Sequence, residues 1–180
     1  MRPVIVGISD CQISRDPEEV LVTYALGSCV AVMIYDPVAR VGGLLHIMLP
    51  DSSIDPDRGR QRPFMFADTG VPLLFRQSYE LGADKRRVIV RIAGGAQMMD
   101  EAGVFDIGRR NQLAVRKILW KAGVLIESEA VGGNNSRTVR LEIAAGTVWL
   151  RGPGGSEETM GKAPPPSRGS VYGVPCANRG

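Results

Sequence analysis

An α+β fold follows from the sequence: layered, β-sandwich-like sheets of short strands with two main helices packed on one face. Short runs rich in β-branched and aromatic residues recur from end to end. Two longer segments carry an apolar stripe at helical spacing, and turns rich in glycine, proline and aspartate separate the runs. Many short strands with two longer helices is the pattern of a layered domain. The 180 residues, 44% hydrophobic and 23% charged, suit one domain with a real core, and no internal repeat is visible.

Residues 4–8 read as a first strand and 13–19 as a connection whose Asp16-Pro17 turn leads into a strand at 20–26. Strands at 29–35 and 43–49 flank a turn at Asp36-Pro37, because proline presets φ for a tight turn and aspartate bonds the backbone beyond it. The polar, proline-rich segment 50–63 reads as a mobile flap or an unstructured insertion at the rim of a site. Asp68 or Thr69 then caps a helix striped by Val71, Leu74, Phe75 and Leu81, with Pro72 near its first turn and Gly82 as terminator.

A strand at 87–93 ends in Gly94-Gly95, which leads into a short helical segment at 97–102. The glycine pair lacks the Lys-Ser/Thr of a phosphate-binding loop and reads as tight packing. The second helix covers 108–122, with Leu113, Ile118, Leu119 and Ala122 on its apolar side, Arg116, Lys117 and Lys121 exposed, and Gly123 as C-cap. A strand at 124–131, a turn through Gly132 to Ser136, alternation of Val139, Leu141 and Ile143, and a return at 147–150 form a closing hairpin. Residues 1–151 are thus the folded domain. The glycine- and proline-rich remainder, 152–180, reads as a disordered tail with few apolar groups to offset its conformational entropy.

The stretch 23–49 carries the chemistry. Cys29 is the candidate nucleophile, and His46, the one histidine in the chain, is the candidate base, because an imidazole can take a thiol proton near neutrality. A two-residue hairpin loop sets Cys29 directly opposite His46. A four-residue loop sets Cys29 opposite Met48 and leaves His46 a diagonal neighbour on the same face, within roughly 7–8 Å. An odd loop separates them, since strand side chains alternate. Thr23 lies roughly 20 Å from Cys29 in a continuous strand at about 3.3 Å per residue, so the chain must bend, and Gly27-Ser28 is where it can. The Thr23 hydroxyl then orients His46, and backbone N–H groups around Gly27, Ser28 and Cys29 receive an oxyanion. Taken singly, a buried strand cysteine, a satisfied core histidine and a strand-forming threonine explain the same residues; shared register and the glycine bend make them a candidate group.

The motif TYALGSC at 23–29, followed by VGGLLHIMLPDS at 41–52, resembles the CheD family of bacterial chemotaxis proteins. The resemblance continues through ADTG at 67–70, RIAGGAQM at 91–98, IGRRN at 107–111 and VGGNNSR at 131–137, and covers roughly residues 4–151. It departs at Tyr24-Ala25, at Phe66 where the family tends to have tyrosine, and at Gly70 where it tends to have alanine. The resemblance implies a receptor glutamine deamidase whose catalytic threonine, cysteine and histidine fall on Thr23, Cys29 and His46. Its substrate would be methyl-accepting chemoreceptors, and a CheC-type phosphatase of CheY a second partner. Thiolate attack, a thioester and its hydrolysis need no cofactor or metal. Two other classes share these residues: another cysteine amidohydrolase or acyl transferase, and a non-enzymatic chemotaxis adaptor.

A net charge of +3 demands no nucleic acid, and Lys85-Arg86-Arg87 reads as a solvated turn. No apolar run approaches the roughly 20 residues of a membrane span and the N-terminus lacks a signal-peptide layout, so a cytoplasmic location without membrane insertion is expected. There Cys11, Cys29 and Cys176 stay reduced, and their spacing suits neither disulfides nor zinc.

Overall fold

The structure, a computed structural model, describes residues 1–97 and 106–164. Its strands in chain order are β1 (Arg2–Ile5), β2 (Asp10–Ser14), β3 (Glu19–Leu26), β4 (Val30–Asp36), β5 (Val41–Ile47), β6 (Ile89–Gly94), β7 (Ile126–Val131), β8 (Arg137–Glu142), β9 (Thr147–Arg151) and β10 (Glu157–Gly161). The helices are α1 (Pro56–Gln61), α2 (Ala67–Glu80) and α3 (Ile107–Lys121). The strands form two five-stranded sheets, the first ordered β1-β3-β8-β9-β10 and the second β2-β5-β4-β6-β7.

Two apolar layers follow. Leu21, Leu26, Ala31, Met33, Leu44, Val139 and Leu141 fill the space between the sheets. Val30, Val32, Leu45 and Ile47 point the other way, onto Val71, Leu74 and Phe75 of α2 and Val115 and Leu119 of α3. This is the layered α+β sandwich, with both main helices on the outer face of the second sheet. It explains why β4 and β5 are buried along their whole lengths: each is covered on both faces.

Several elements differ from the sequence expectation. The connection expected at 13–19 is preceded by a strand, β2, which pairs antiparallel with β5 at the sheet edge. Only Cys11 and Ser14 of β2 are buried, so its alternation is faint in the sequence. The expected flap at 50–63 is folded. Asp51 accepts from Ser53 N, Asp55 caps α1 through Arg58 N with Pro56 in the first turn, and Ser52 donates to Asp68. Asp68 is thereby drawn away from capping α2, whose N-cap is Phe66, while the Thr69 hydroxyl donates to the Pro63 carbonyl.

Arg87 is not solvated with its neighbours. Its guanidinium donates to the fully buried Asp36 carboxylate. Leu113, expected on the buried side of α3, is 53% exposed. The disordered-tail reading of 152–180 fails over Glu157–Gly161, which form β10 as the edge strand beside β9. A strand can be held by its ladder of backbone hydrogen bonds with little apolar burial, which a compositional argument cannot see. The helical segment expected at 97–102 lies beyond Gln97 outside the described residues, as do residues 165–180.

Candidate active site

The β4–β5 hairpin closes through the wider of the two even loops. Asp36 pairs with Val41, leaving Pro37 to Arg40 as a four-residue loop. The Asp36 carboxylate builds it, accepting from the N–H groups of Val38 and Ala39 within the loop and of Asp84 beyond it. In this register Ala31 faces His46, and Cys29, one residue before β4, falls opposite Met48. Cys29 packs against the cluster between the sheets that contains Ala31 and Leu44, the face to which His46 also belongs by alternation. Cys11 faces the helix side instead, where burial pushes its thiol up to about 12, and it offers no second nucleophile.

Thr23 reaches this pair from the other sheet. It lies on β3 opposite Val139, and between Thr23 and Leu26 the register with β8 slips by one residue, a bulge holding Tyr24 and Ala25. The bulge lets Thr23 and Leu26, three apart, both turn inward, and both are fully buried. The chain then crosses from the first sheet to the second between Leu26 and Val30. The bend expected at Gly27-Ser28 is therefore a crossing between layers, and its left-handed residue is Ala25, φ 54°, rather than Gly27.

Thr23 Oγ1 lies 2.8 Å from the Val6 carbonyl and 2.7 Å from His46 Nδ1. A carbonyl can only accept, so the one hydroxyl proton goes to Val6 and the Thr23 oxygen must accept from Nδ1–H. This assigns the tautomer: Nε2 carries the free lone pair. Nε2 is buried and has no hydrogen-bond partner among the described residues. Burial lowers the His46 pKa to about 4, and burial raises that of Cys29, with its own N–H working the other way. Both shifts favour the neutral forms, a thiol and an imidazole, and Cys29 makes no hydrogen bond to Nε2.

Residues 27–29 are held by their three carbonyls. Ala96 N donates to Gly27 O and Gly95 N to Cys29 O, each at 2.7 Å, and Asn111 Nδ2 donates to Ser28 O at 2.9 Å. Gly94, at φ 103°, allows this approach, since a Cβ there would meet the Cys29 oxygen at 2.3 Å. The Gly94-Gly95 pair thus packs tightly against the segment that bears the cysteine. With the carbonyls engaged, the Ser28 N–H has no acceptor among the described residues and the Cys29 N–H meets only its own sulfur, whereas Gly27 N donates back to Ala25 O.

Asn111 is the residue that sequence reasoning missed. Fully buried on α3, it donates to both Ser28 O and Met48 O, each at 2.9 Å, and so ties the cysteine segment to the end of β5 beyond the last ladder pair. The signal available in the sequence is a polar residue in line with Val115 and Leu119 at four-residue spacing on an otherwise apolar stripe. Among the described residues no group of three His, Cys, Asp or Glu side chains could hold a metal, and no helix is long and apolar enough to cross a membrane.

Comparison with known proteins adds an independent line. Residues 48–152 match the family described as CheD chemotactic sensory transduction. A protein of Solibacter usitatus named "Probable chemoreceptor glutamine deamidase CheD" is 59% identical over 164 residues, spanning 91% of this chain and 97% of its own. One of Syntrophus aciditrophicus, named "Probable chemoreceptor glutamine deamidase CheD 1", is 55% identical over 86% of this chain and 97% of its own. One of Anaeromyxobacter dehalogenans, "Probable chemoreceptor glutamine deamidase CheD 2", is 49% identical over 84% and 95%. These matches span nearly the whole of each relative and most of the described fold, and the chain belongs to the CheD family.

Proposed function

We propose that the chain is a chemoreceptor glutamine deamidase that works through Cys29, His46 and Thr23. The observation that carries this reading is the Thr23–His46 bond, which leaves Nε2 as an unprotonated base on the face that Cys29 shares. The Cys29 thiol gives its proton to Nε2 as sulfur attacks the side-chain amide carbon of a glutamine, and the N–H groups of Ser28 and Cys29 receive the oxyanion. The amide carbon–nitrogen bond breaks, the proton on Nε2 leaves with ammonia, and a thioester remains. A water that gives its proton to Nε2 then attacks the thioester, restoring the thiol and releasing glutamate.

Because both groups rest neutral, the proton moves only as the carbon–sulfur bond forms, which keeps the thiol quiet without a bound amide. The substrate class follows the names of the relatives, all chemoreceptor glutamine deamidases. A CheC-type phosphatase is the second partner of this reading, and the cytoplasm its compartment.

Mass spectrometry of receptor peptides after incubation tests the proposal. Wild type should convert glutamine to glutamate, a gain of about 1 Da, and Cys29→Ala should bind receptor without converting it. Conversion by Cys29→Ala would refute the cysteine mechanism. Unaltered peptides after incubation with wild type would favour the adaptor reading.

A further inference from the structure

The face of α3 turned away from the core is not an ordinary solvated face. Leu113 and Trp120, seven residues apart and 53% and 79% exposed, lie at its centre. Arg109, Arg110, Arg116, Lys117 and Lys121 surround them, and the helix contains no acidic residue. Arg116 is bridged to Glu129, whereas Arg110, Lys117 and Lys121 have no carboxylate partner among the described residues.

Beside this face runs a groove of about 420 Å³. Arg110, Leu113, Lys117 and Lys121 form one wall, and Pro50, Asp51 and Asp68 the other. The two carboxylates accept local hydrogen bonds, Asp51 from Ser53 N and Asp68 from Ser52, and keep their charge. Against these two negative charges stand the three positive ones of Arg110, Lys117 and Lys121, so the lining is basic on balance. The groove's lining is close in the chain to residues that hold the Cys29 segment. Asn111, one residue from Arg110, holds Ser28 O and Met48 O, and Pro50 follows Met48 by two residues. From Arg110 to Lys121 the helix covers about 17 Å at ~1.5 Å per residue, room for a substantial segment of bound chain.

From these contacts we infer that the groove between α3 and the 50–52 segment is a substrate-docking surface that reads an acidic segment of the substrate protein flanking its target glutamine. The inference rests on the deamidase reading for the word substrate, but the binding it describes does not. Carboxylates of the docked segment meet Arg110, Lys117 and Lys121, and an apolar side chain between them covers Leu113. An anionic membrane surface would also attract basic residues and an exposed tryptophan. It suits this surface poorly, because a lipid plane cannot enter a concave groove, whereas an extended or helical segment can.

The test uses the full chain and two synthetic peptides, each with a single glutamine, one carrying glutamates in the flanking segment and the other lysines at the same positions. By fluorescence anisotropy the acidic peptide should bind at least about tenfold more tightly than its lysine counterpart, with affinity falling as salt rises. Lys117→Glu with Lys121→Glu should remove that preference. Equal binding of the two peptides, or acidic-peptide binding unchanged by the double substitution, overturns the inference. So does a protein that pellets with phosphatidylserine vesicles through Lys117 and Lys121 yet does not distinguish the peptides. A second arm keeps catalysis separate: on a chemoreceptor fragment the double variant should show a KM raised about tenfold at unchanged kcat, with turnover of a short neutral glutamine peptide unaltered. A fall in kcat on both substrates would place the effect in the catalytic site and count against the groove. If wild type turns over neither substrate, the deamidase reading fails, while the peptide titration still decides the groove.

Discussion

Thr23 Oγ1 meets His46 Nδ1 at 2.7 Å across the space between the two sheets, so the imidazole is oriented from the sheet that carries neither His46 nor the strand that follows Cys29. The bond assigns the imidazole proton to Nδ1 and ranks the three residues. Cys29→Ala and His46→Ala should each lower glutamine deamidation by about 10⁴-fold. Thr23→Ala should lower it less, because nucleophile and base stay in place, and Thr23→Ser, which keeps the hydroxyl, should recover most of that loss. Ammonia release on a receptor fragment measures all four variants.

His46 also makes stability depend on pH. Its folded pKa is lowered from 6.5 to about 4, so between those values the unfolded chain binds a proton that the folded chain refuses. Stability from this group is fully present above pH 6.5 and is lost as pH falls towards 4. At ~1.36 kcal/mol per pH unit the loss is about 3 kcal/mol. Denaturant titrations from pH 7 to 4 should give a steeper decline for wild type than for His46→Leu, in which nothing titrates at that position.

Gly94 is a more exacting position than Gly27. A Cβ there would sit 2.3 Å from the Cys29 carbonyl oxygen at a φ of 103°. Gly94→Ala should therefore displace Cys29 and lower kcat about 100-fold, the effect of misplacement by roughly 1 Å. Gly27→Ala should be milder, since Gly27 lies outside the left-handed region. Comparing kcat for the two variants checks the order.

Asn111→Ala should destabilise the fold by about 2–4 kcal/mol, because it leaves the Ser28 and Met48 carbonyls without their donor. It should also lower kcat more than it changes KM, since the lost bonds hold the segment that bears Cys29. Asn111→Asp keeps the shape, removes both donors and buries a charge, and should be at least as harmful. Chemical denaturation together with steady-state kinetics separates the two effects.

Where the chain can be shortened depends on β10. Ending it after Pro164 should leave Tm unchanged, because β10 and the buried Ala163 are retained. Ending it after Arg151 uncovers β9 as a sheet edge and should lower Tm by about 5 °C or more. Thermal denaturation of the two truncations beside the full chain checks this.

The sequence by itself determined that the site turns on the length of one loop: an even loop at Asp36-Pro37 puts Cys29 and His46 on one face and an odd loop separates them, because a strand alternates with period two. The structure decided for the four-residue loop. The sequence also determined the layered fold and the packing role of Gly94-Gly95, since both are local patterns of burial and backbone freedom. Only the tertiary structure decided where Thr23 meets His46. Their contact joins two sheets, and its geometry comes from a bulge at Tyr24-Ala25 whose register is set against β8, more than a hundred residues downstream. The same limit applies to Leu113, which satisfies a helical stripe yet lies outside because Asn111 and Val115 occupy the inward side. It applies to β10, which backbone pairing with β9 holds in a segment whose composition resembles a tail. Periodicity reports which residues share a face; which face is covered, and by what, depends on partners distant in the chain.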